Sequence, residues 1–487
     1  MVRISKALGL LLLAFAALTA DASAQVTVLH NFAGPDGASP TGLIRAGNFF
    51  YGAAGNGGDV TSCPSDGCGL VFRTDMAGHF KTLHVFHASD GYLPTGVIKG
   101  RDGNFYGTTM AGGQPSGGGG GTIFQIDSTG KFRVLYAFTG GFACCDGAGP
   151  TGPPIQASDG NLYGTTGGGG AFRNIHHQGG FGTVYRLNPT TGALTILHSF
   201  NFDGDSFYPN SPLIVGSDGF FYGTTSEGSG AFRDGPGVAF RIDTAGNFAV
   251  VSVLAGQPLS GLILAKDGQY YGTSQARGGY VLRVDASGNL TFVNLFDGAD
   301  GWSPRFRLLQ TSDGLFYGSA PQGGLLDFQG GDIFRLDAAG AIRVLHSFTK
   351  TSPEGFVPNS QLVQGPDGAL YGTNGIGGSN GQGTIFRIDQ NAIGPVSAIT
   401  VKPAVVPVGL TSTGTVTLVS PAPAGGTVVT LGAVQGQIVI PPKVTVRAGA
   451  TKASFKIKTL TIGATTTVRI YASVAGQGVR TTITVTP

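Results

Sequence analysis

Six acidic residues stand four positions before a proline: Asp36/Pro40, Asp90/Pro94, Asp146/Pro150, Asp205/Pro209, Asp300/Pro304 and Glu354/Pro358. Carboxylates gathered at one place would bind a cation or sugar hydroxyls; a pair at a set separation would hydrolyse a glycosidic bond. A further segment, Gln257-Pro258, keeps the proline without the acid. Aromatic residues lie between acid and proline in several copies: Tyr92, Phe207 with Tyr208, Trp302 and Phe356. Trp302 is the only tryptophan, and an indole in a loop suits stacking on a sugar face or an apolar partner. Simpler duties compete with each of these roles. Asp-Gly makes a turn, Pro begins an inner strand, and an aromatic ring can pack over a neighbouring sheet.

Other reactive groups are sparse or regular. Of the 8 histidines, His30, His84, His198 and His346 share one place in a Leu-His-x-Phe motif, which marks framework rather than catalyst. His176-His177 is the pair off that pattern; surface exposure is its plain reading, and metal binding or acid–base work the alternative. The Gly117–Gly121 run lacks the following helix and the Lys-Ser/Thr pair of a phosphate loop. No residue is assigned as catalytic. The 4 cysteines suit an oxidising compartment. Cys63 and Cys68 share a short loop that accommodates a local disulfide, while the adjacent Cys144 and Cys145 either form a vicinal disulfide or stay free. Their spacing does not match a zinc site. No metal or cofactor is expected; Ca2+ is the one ion considered for the acids, and it needs several oxygens converging on one point.

The elements that must position these residues recur. Tyr-Gly, preceded by an aromatic residue or Leu, appears with the Tyr at 51, 106, 163, 222, 271, 317 and 371. The steps are 55, 57, 59, 49, 46 and 54 residues, and a period near fifty in strand-rich sequence marks a β-propeller. In the second copy the strand signals are Thr95–Lys99, Asn104–Thr109, Thr122–Asp127 and Phe132–Phe138. The seventh copy ends after its third signal, Thr384–Asp389, and Val26–Phe32 supplies the missing fourth. Pairing of these two ends would close a ring and remove an exposed sheet edge. Loops between the second and third strands vary widely in length, and they share a face with the inter-repeat loops. Variable loops over a rigid frame are where binding resides.

The chain is 487 residues long, with 85 Gly, 26 Pro and 12% charged residues. A net charge of +3 without a dense basic run argues against nucleic acid or an anionic membrane as partner. Residues 1–24 read as a secretory signal: Arg3 and Lys6, an apolar run from Leu8 to Leu18, and Ala22-Ser23-Ala24 as the cleavage site. Residues 25–394 hold the repeats. Residues 395–487, rich in Val and Thr with alternating strands, suggest an immunoglobulin-like sandwich.

Asp-Gly-x-aromatic-Tyr-Gly-Thr-Thr, a Gly-rich loop, Gly-Thr-(Ile/Val)-(Phe/Tyr)-Arg and Leu-His-x-Phe together resemble the GloVer tandem-repeat (choice-of-anchor) family of bacterial exported proteins. The likeness covers about residues 26–390. Tyr106, Gly107, Thr108, Thr109, Gly121, Thr122 and Phe124 fit best; Ala53-Ala54 replaces Thr-Thr in the first copy, and the fifth keeps little beyond Tyr271-Gly272-Thr273. The resemblance implies an exported repeat protein, often with a separate C-terminal anchoring module, and no established activity. The expectation is an all-β chain: a seven-bladed β-propeller closed by its N-terminal strand, plus a C-terminal immunoglobulin-like β-sandwich. Its expected role is a secreted monomer, extracellular or periplasmic and without a membrane span, that binds a glycan or an extracellular protein. An extracellular polysaccharide lyase or glycoside hydrolase with carboxylates at the channel mouth is one alternative, and a structural envelope or adhesion component the other.

Overall fold

The computed structural model describes residues 26–487 except 64–65, 115–118, 141–145, 173–178, 202–205, 228–235, 255, 257–259, 276–277, 297, 299, 325–328, 338–339, 391–394, 435 and 475–476. The described chain is all β, with no α-helix, and builds many small sheets in a propeller-like arrangement. The second sheet shows the pattern: Tyr92–Lys99, Phe105–Ala111, Thr122–Ile126 and Phe132–Ala137 pair antiparallel in sequence order. The third strand ends one residue before its predicted limit because Asp127 belongs to the turn. Its Oδ1 accepts the N–H groups of Thr129, Gly130 and Lys131 at 2.8, 3.0 and 3.0 Å. The Thr129 hydroxyl also donates to it, and these bonds hold the carboxyl down at about 2. Gly130 takes φ +105°, open to a residue without Cβ.

Among the described residues, seven such sheets lie within 27–388. Their first strands are less regular than predicted. Ala38–Ala46 and Tyr92–Lys99 are continuous, but the third sheet has only Ala148–Pro150 and Ile155–Gln156. Pro153 and Pro154 lie in that gap, and neither has an N–H to give a ladder. The strand Thr27–Asn31 pairs antiparallel with Thr384–Ile388, so the last sheet takes its outermost strand from the opposite end of the repeats.

The Tyr-Gly motif joins sheet to sheet. Each motif tyrosine packs on the residue that precedes the tyrosine of the next copy. Ring centroids are 3.9 Å apart for Tyr51 and Phe105, 4.3 Å for Tyr163 and Phe221, 4.3 Å for Tyr222 and Tyr270, and 4.6 Å for Tyr271 and Phe316. Tyr106 with Leu162, and Tyr317 with Leu370, share clusters in the same way. The series ends where it began: Tyr371 stacks on Phe50 at 4.2 Å. The threonine after Tyr-Gly adds a bond along the same path. Thr108 donates to Gly152 O at 2.9 Å, Thr165 to Ser211 O at 3.0 Å, and Thr373 back to Pro40 O at 3.5 Å. The tyrosine hydroxyls are tied down by the Asp of the preceding turn, as in Tyr106 to Asp102 at 2.8 Å and Tyr371 to Asp367 at 3.0 Å. Burial and that carboxylate push both phenols up to about 12.

Residues 396–486 form two further sheets around one apolar core that includes Val416, Phe455, Ile470 and Ile483. The strand Gln477–Thr486 packs against Ile342–Ser347, the outermost strand of the sixth sheet. Burial records that cover: Val344 is 6% exposed, whereas Val134, its counterpart in the second sheet, is 37% exposed. Arg480 forms an ion pair with Asp300, which is almost fully buried.

Candidate functional site

The acids do not gather. Four of the five described ones are held on the outermost strand that leads into their loop. His30 Nε2 bonds Asp36 at 2.9 Å, His84 Nε2 bonds Asp90 at 3.0 Å, and His346 Nε2 bonds Glu354 at 2.8 Å. In the third copy Tyr136 takes the histidine's place and its hydroxyl donates to Asp146 at 2.9 Å. The second oxygen caps the loop: Ala33 N–H donates to Asp36, and His87 N–H to Asp90, both at 2.7 Å. The Leu-His-x-Phe motif and the acid-before-proline motif are therefore two halves of one structural pair. Burial lowers the affinity of His30 for a proton, with Asp36 opposing that shift. Burial raises Glu354, but the bond and charge of His346 outweigh it and hold the carboxyl below its usual range.

Asp300 departs from this rule. Asn294 replaces the histidine in its copy, and the carboxylate turns to Arg480. Asp205, Cys144, Cys145 and the pair His176-His177 lie outside the described residues. Among the described residues no three His, Cys, Asp or Glu side chains group as a metal site.

The predicted aromatics separate by exposure. Phe207 is buried, and Tyr92, Tyr208 and Phe356 are half-buried against their sheets. Burial raises the Tyr208 phenol, helped by the charge of Glu227. Trp302 is 45% exposed, with its backbone N–H held by Gln322 O at 2.6 Å.

Just before the recurring proline the backbone turns left-handed. Ser39, Leu93, Tyr208, Ser303 and Val357 have φ between +50° and +60°, and Gly149 has +62°. Their N–H groups explain why. Ser39 donates to Gln382 O, Leu93 to Cys68 O and Val357 to Gly330 O, at 3.0, 3.2 and 2.8 Å. Each corner is thus strapped to the loop between second and third strands of the preceding sheet, so both loop types share one face. A disulfide between Cys63 and Cys68 braces the first of those loops. Asp59 in that loop meets His87 Nδ1 at 2.7 Å; hydrogen bonds from Ser62, Thr61 and His87 hold its carboxyl well below the usual range.

Sequence reasoning missed the axial cavity. It encloses about 270 Å3 and is lined by Thr41, Thr95, Thr151, Asn210, Ser260, Arg307 and Gln361, one residue from each sheet's innermost segment. None of the recurring acids lines it. Among the described residues, the expected ring of carboxylates at the channel mouth is therefore replaced by dispersed acids, because a histidine captures Asp36, Asp90 and Glu354 locally, Tyr136 captures Asp146, and Arg480 captures Asp300. The available signal was a break in the repeat: after the proline stand Thr41-Gly42, Thr95-Gly96, Thr151-Gly152, Asn210-Ser211 and Asn359-Ser360, but Arg305-Phe306-Arg307 in the sixth copy.

No curated protein matches the chain. Among solved structures, it is similar to the WD40 β-propeller domain of Doa1 at 11% identity and TM-score 0.40, covering 75% of this chain and 98% of that one. A quinoprotein alcohol dehydrogenase-like protein from Bacteroides thetaiotaomicron gives 13% identity and TM-score 0.40 over 63% and 65%. A glycoside hydrolase family 43 arabinoxylan arabinofuranohydrolase from Bacillus subtilis gives 12% and 0.32 over 95% and 99%. Likeness this distant carries no argument about activity. The family described as the Gloeobacter/Verrucomicrobia repeat matches residues 16–233, 60–280 and 213–400, and the chain belongs to that family.

Proposed function

We propose that the chain is a secreted binding protein whose loop face takes a glycan or an extracellular protein. Residues 1–24 are its signal peptide, 25–394 a seven-bladed propeller, and 395–487 an immunoglobulin-like module. The observation that carries this reading is the division of labour on the loop face. Asp36, Asp90 and Glu354 are spent on histidines, Asp146 on Tyr136 and Asp300 on Arg480, so these five are dispersed rather than paired as hydrolysis requires. Trp302 stands partly exposed beside the variable loops, where an indole face suits sugar or apolar stacking. The disulfide and the basic-apolar-small leader support export, and no described helix is long and apolar enough to cross a membrane.

A glycan array and pull-down against envelope extracts test it. Binding should fall about tenfold or more in Trp302→Ala, the loss of roughly 1.4 kcal/mol or more, and persist in Asp36→Asn and Asp90→Asn. Release of products from a polysaccharide, abolished by one acid substitution, would replace binding with hydrolysis or elimination as the function.

A further inference from the structure

Arg307 places a guanidinium at the axis, and among the described residues no carboxylate pairs with it. It comes from the sixth sheet's inner segment and crosses to the fourth, where Nη2 donates to Pro212 O and Leu213 O. Among the described residues, its Nε is buried without a partner and its Nη1 makes no hydrogen bond. Gly261 makes room for the crossing: a Cβ there would sit 2.5 Å from Nε. Arg305, two residues earlier, lines the same cavity, and the lining contains no Asp or Glu. Burial presses the Arg307 guanidinium down to about 10, so it is still charged at neutral pH.

A charged guanidinium whose Nε–H is buried without a partner is unfavourable unless an anion meets it. Carbonyl oxygens supply partial charge to one nitrogen only. The remaining polar lining is hydroxyl and amide, and about 270 Å3 holds a small anion with several waters. We propose that the axial cavity is a binding site for a small oxyanion, a carboxylate, phosphate or sulfate group, with Arg307 as the principal ligand and Arg305 as the second. This site is separate from the loop-face tryptophan. With Nη2 committed to Pro212 O and Leu213 O, Arg307 meets the anion through single charged hydrogen bonds from Nε or Nη1 rather than through a bidentate pair.

The test uses the full chain, titrated calorimetrically with sodium phosphate in one arm and sodium acetate in the other, at constant ionic strength made up with chloride. Saturable binding in either arm is expected, and the tighter arm identifies the group as tetrahedral or planar. Arg307→Ala should weaken it about 10- to 100-fold, the loss of one or two charged hydrogen bonds. Gly261→Ala, which keeps every charge but displaces the guanidinium, should weaken it as well. Arg305→Gln, at an exposed position, decides the matter should Arg307→Ala fail to fold. Trp302→Ala should bind the anion like the parent chain, so failure of the loop-face reading would leave this one standing. Absence of saturable binding in both arms, or Arg307→Ala binding as tightly as the parent, overturns the proposal.

Discussion

Ser39 shows how strain is distributed at single residues. Its φ of +50° is imposed from outside, by the bond of its N–H to Gln382 O. A left-handed conformation costs a non-glycine residue about 1–3 kcal/mol, and the third copy avoids that by placing Gly149 at the same corner. Ser39→Gly is therefore expected to stabilise the protein by about 0.5–1 kcal/mol after the entropy of an added glycine is subtracted. Urea unfolding at neutral pH measures it, and an unchanged or lower midpoint would show that the corner is unstrained. Ser39→Val should go the other way, since a β-branched side chain tolerates this region worst.

Among elements, the second strand carries the junction between sheets. Tyr371 supplies two separable contributions: its ring on Phe50 and its hydroxyl on Asp367. Tyr371→Phe should lose about 1 kcal/mol, the hydrogen bond alone, and Tyr371→Ala about 3–5 kcal/mol with cavity formation. Equal losses in chemical denaturation would contradict that separation. These strands were legible in the sequence because Gly and Asp punctuate them at a steady period; the predicted third strands Thr122–Asp127 and Thr384–Asp389 miss only their terminal residue. The acids were legible as a spacing but not as partners. His84 and Asp90 were visible as members of two motifs, yet only the return of the loop over the outermost strand brings them to 3.0 Å. Arg307 was hidden for another reason. Charged side chains are mostly exposed, and nothing local in Arg305-Phe306-Arg307 tells that the segment faces an axis shared by seven sheets.

For the whole molecule, the join between the ring of sheets and the C-terminal pair combines the packing of Gln477–Thr486 on Ile342–Ser347 with the ion pair of Asp300 and Arg480. Asp300 is 1% exposed, so removing Arg480 takes a counter-charge away from a carboxylate in low dielectric. Arg480→Ala should cost about 3 kcal/mol, and adding Asp300→Asn should recover much of it, a coupling that a double-mutant cycle reads directly. Additive effects would mean that the pair contributes nothing to docking. The strand Thr27–Asn31 has a consequence in time rather than in space. Translation makes it before any sheet exists, yet its partner Thr384–Ile388 is the last repeat strand to leave the ribosome. Through all of synthesis the nascent chain carries unpaired β edges, and long-range closure of this kind is slow. A chain truncated before residue 384 has every earlier sheet but no latch, and is marked for chaperones or proteases by the edge it cannot cover.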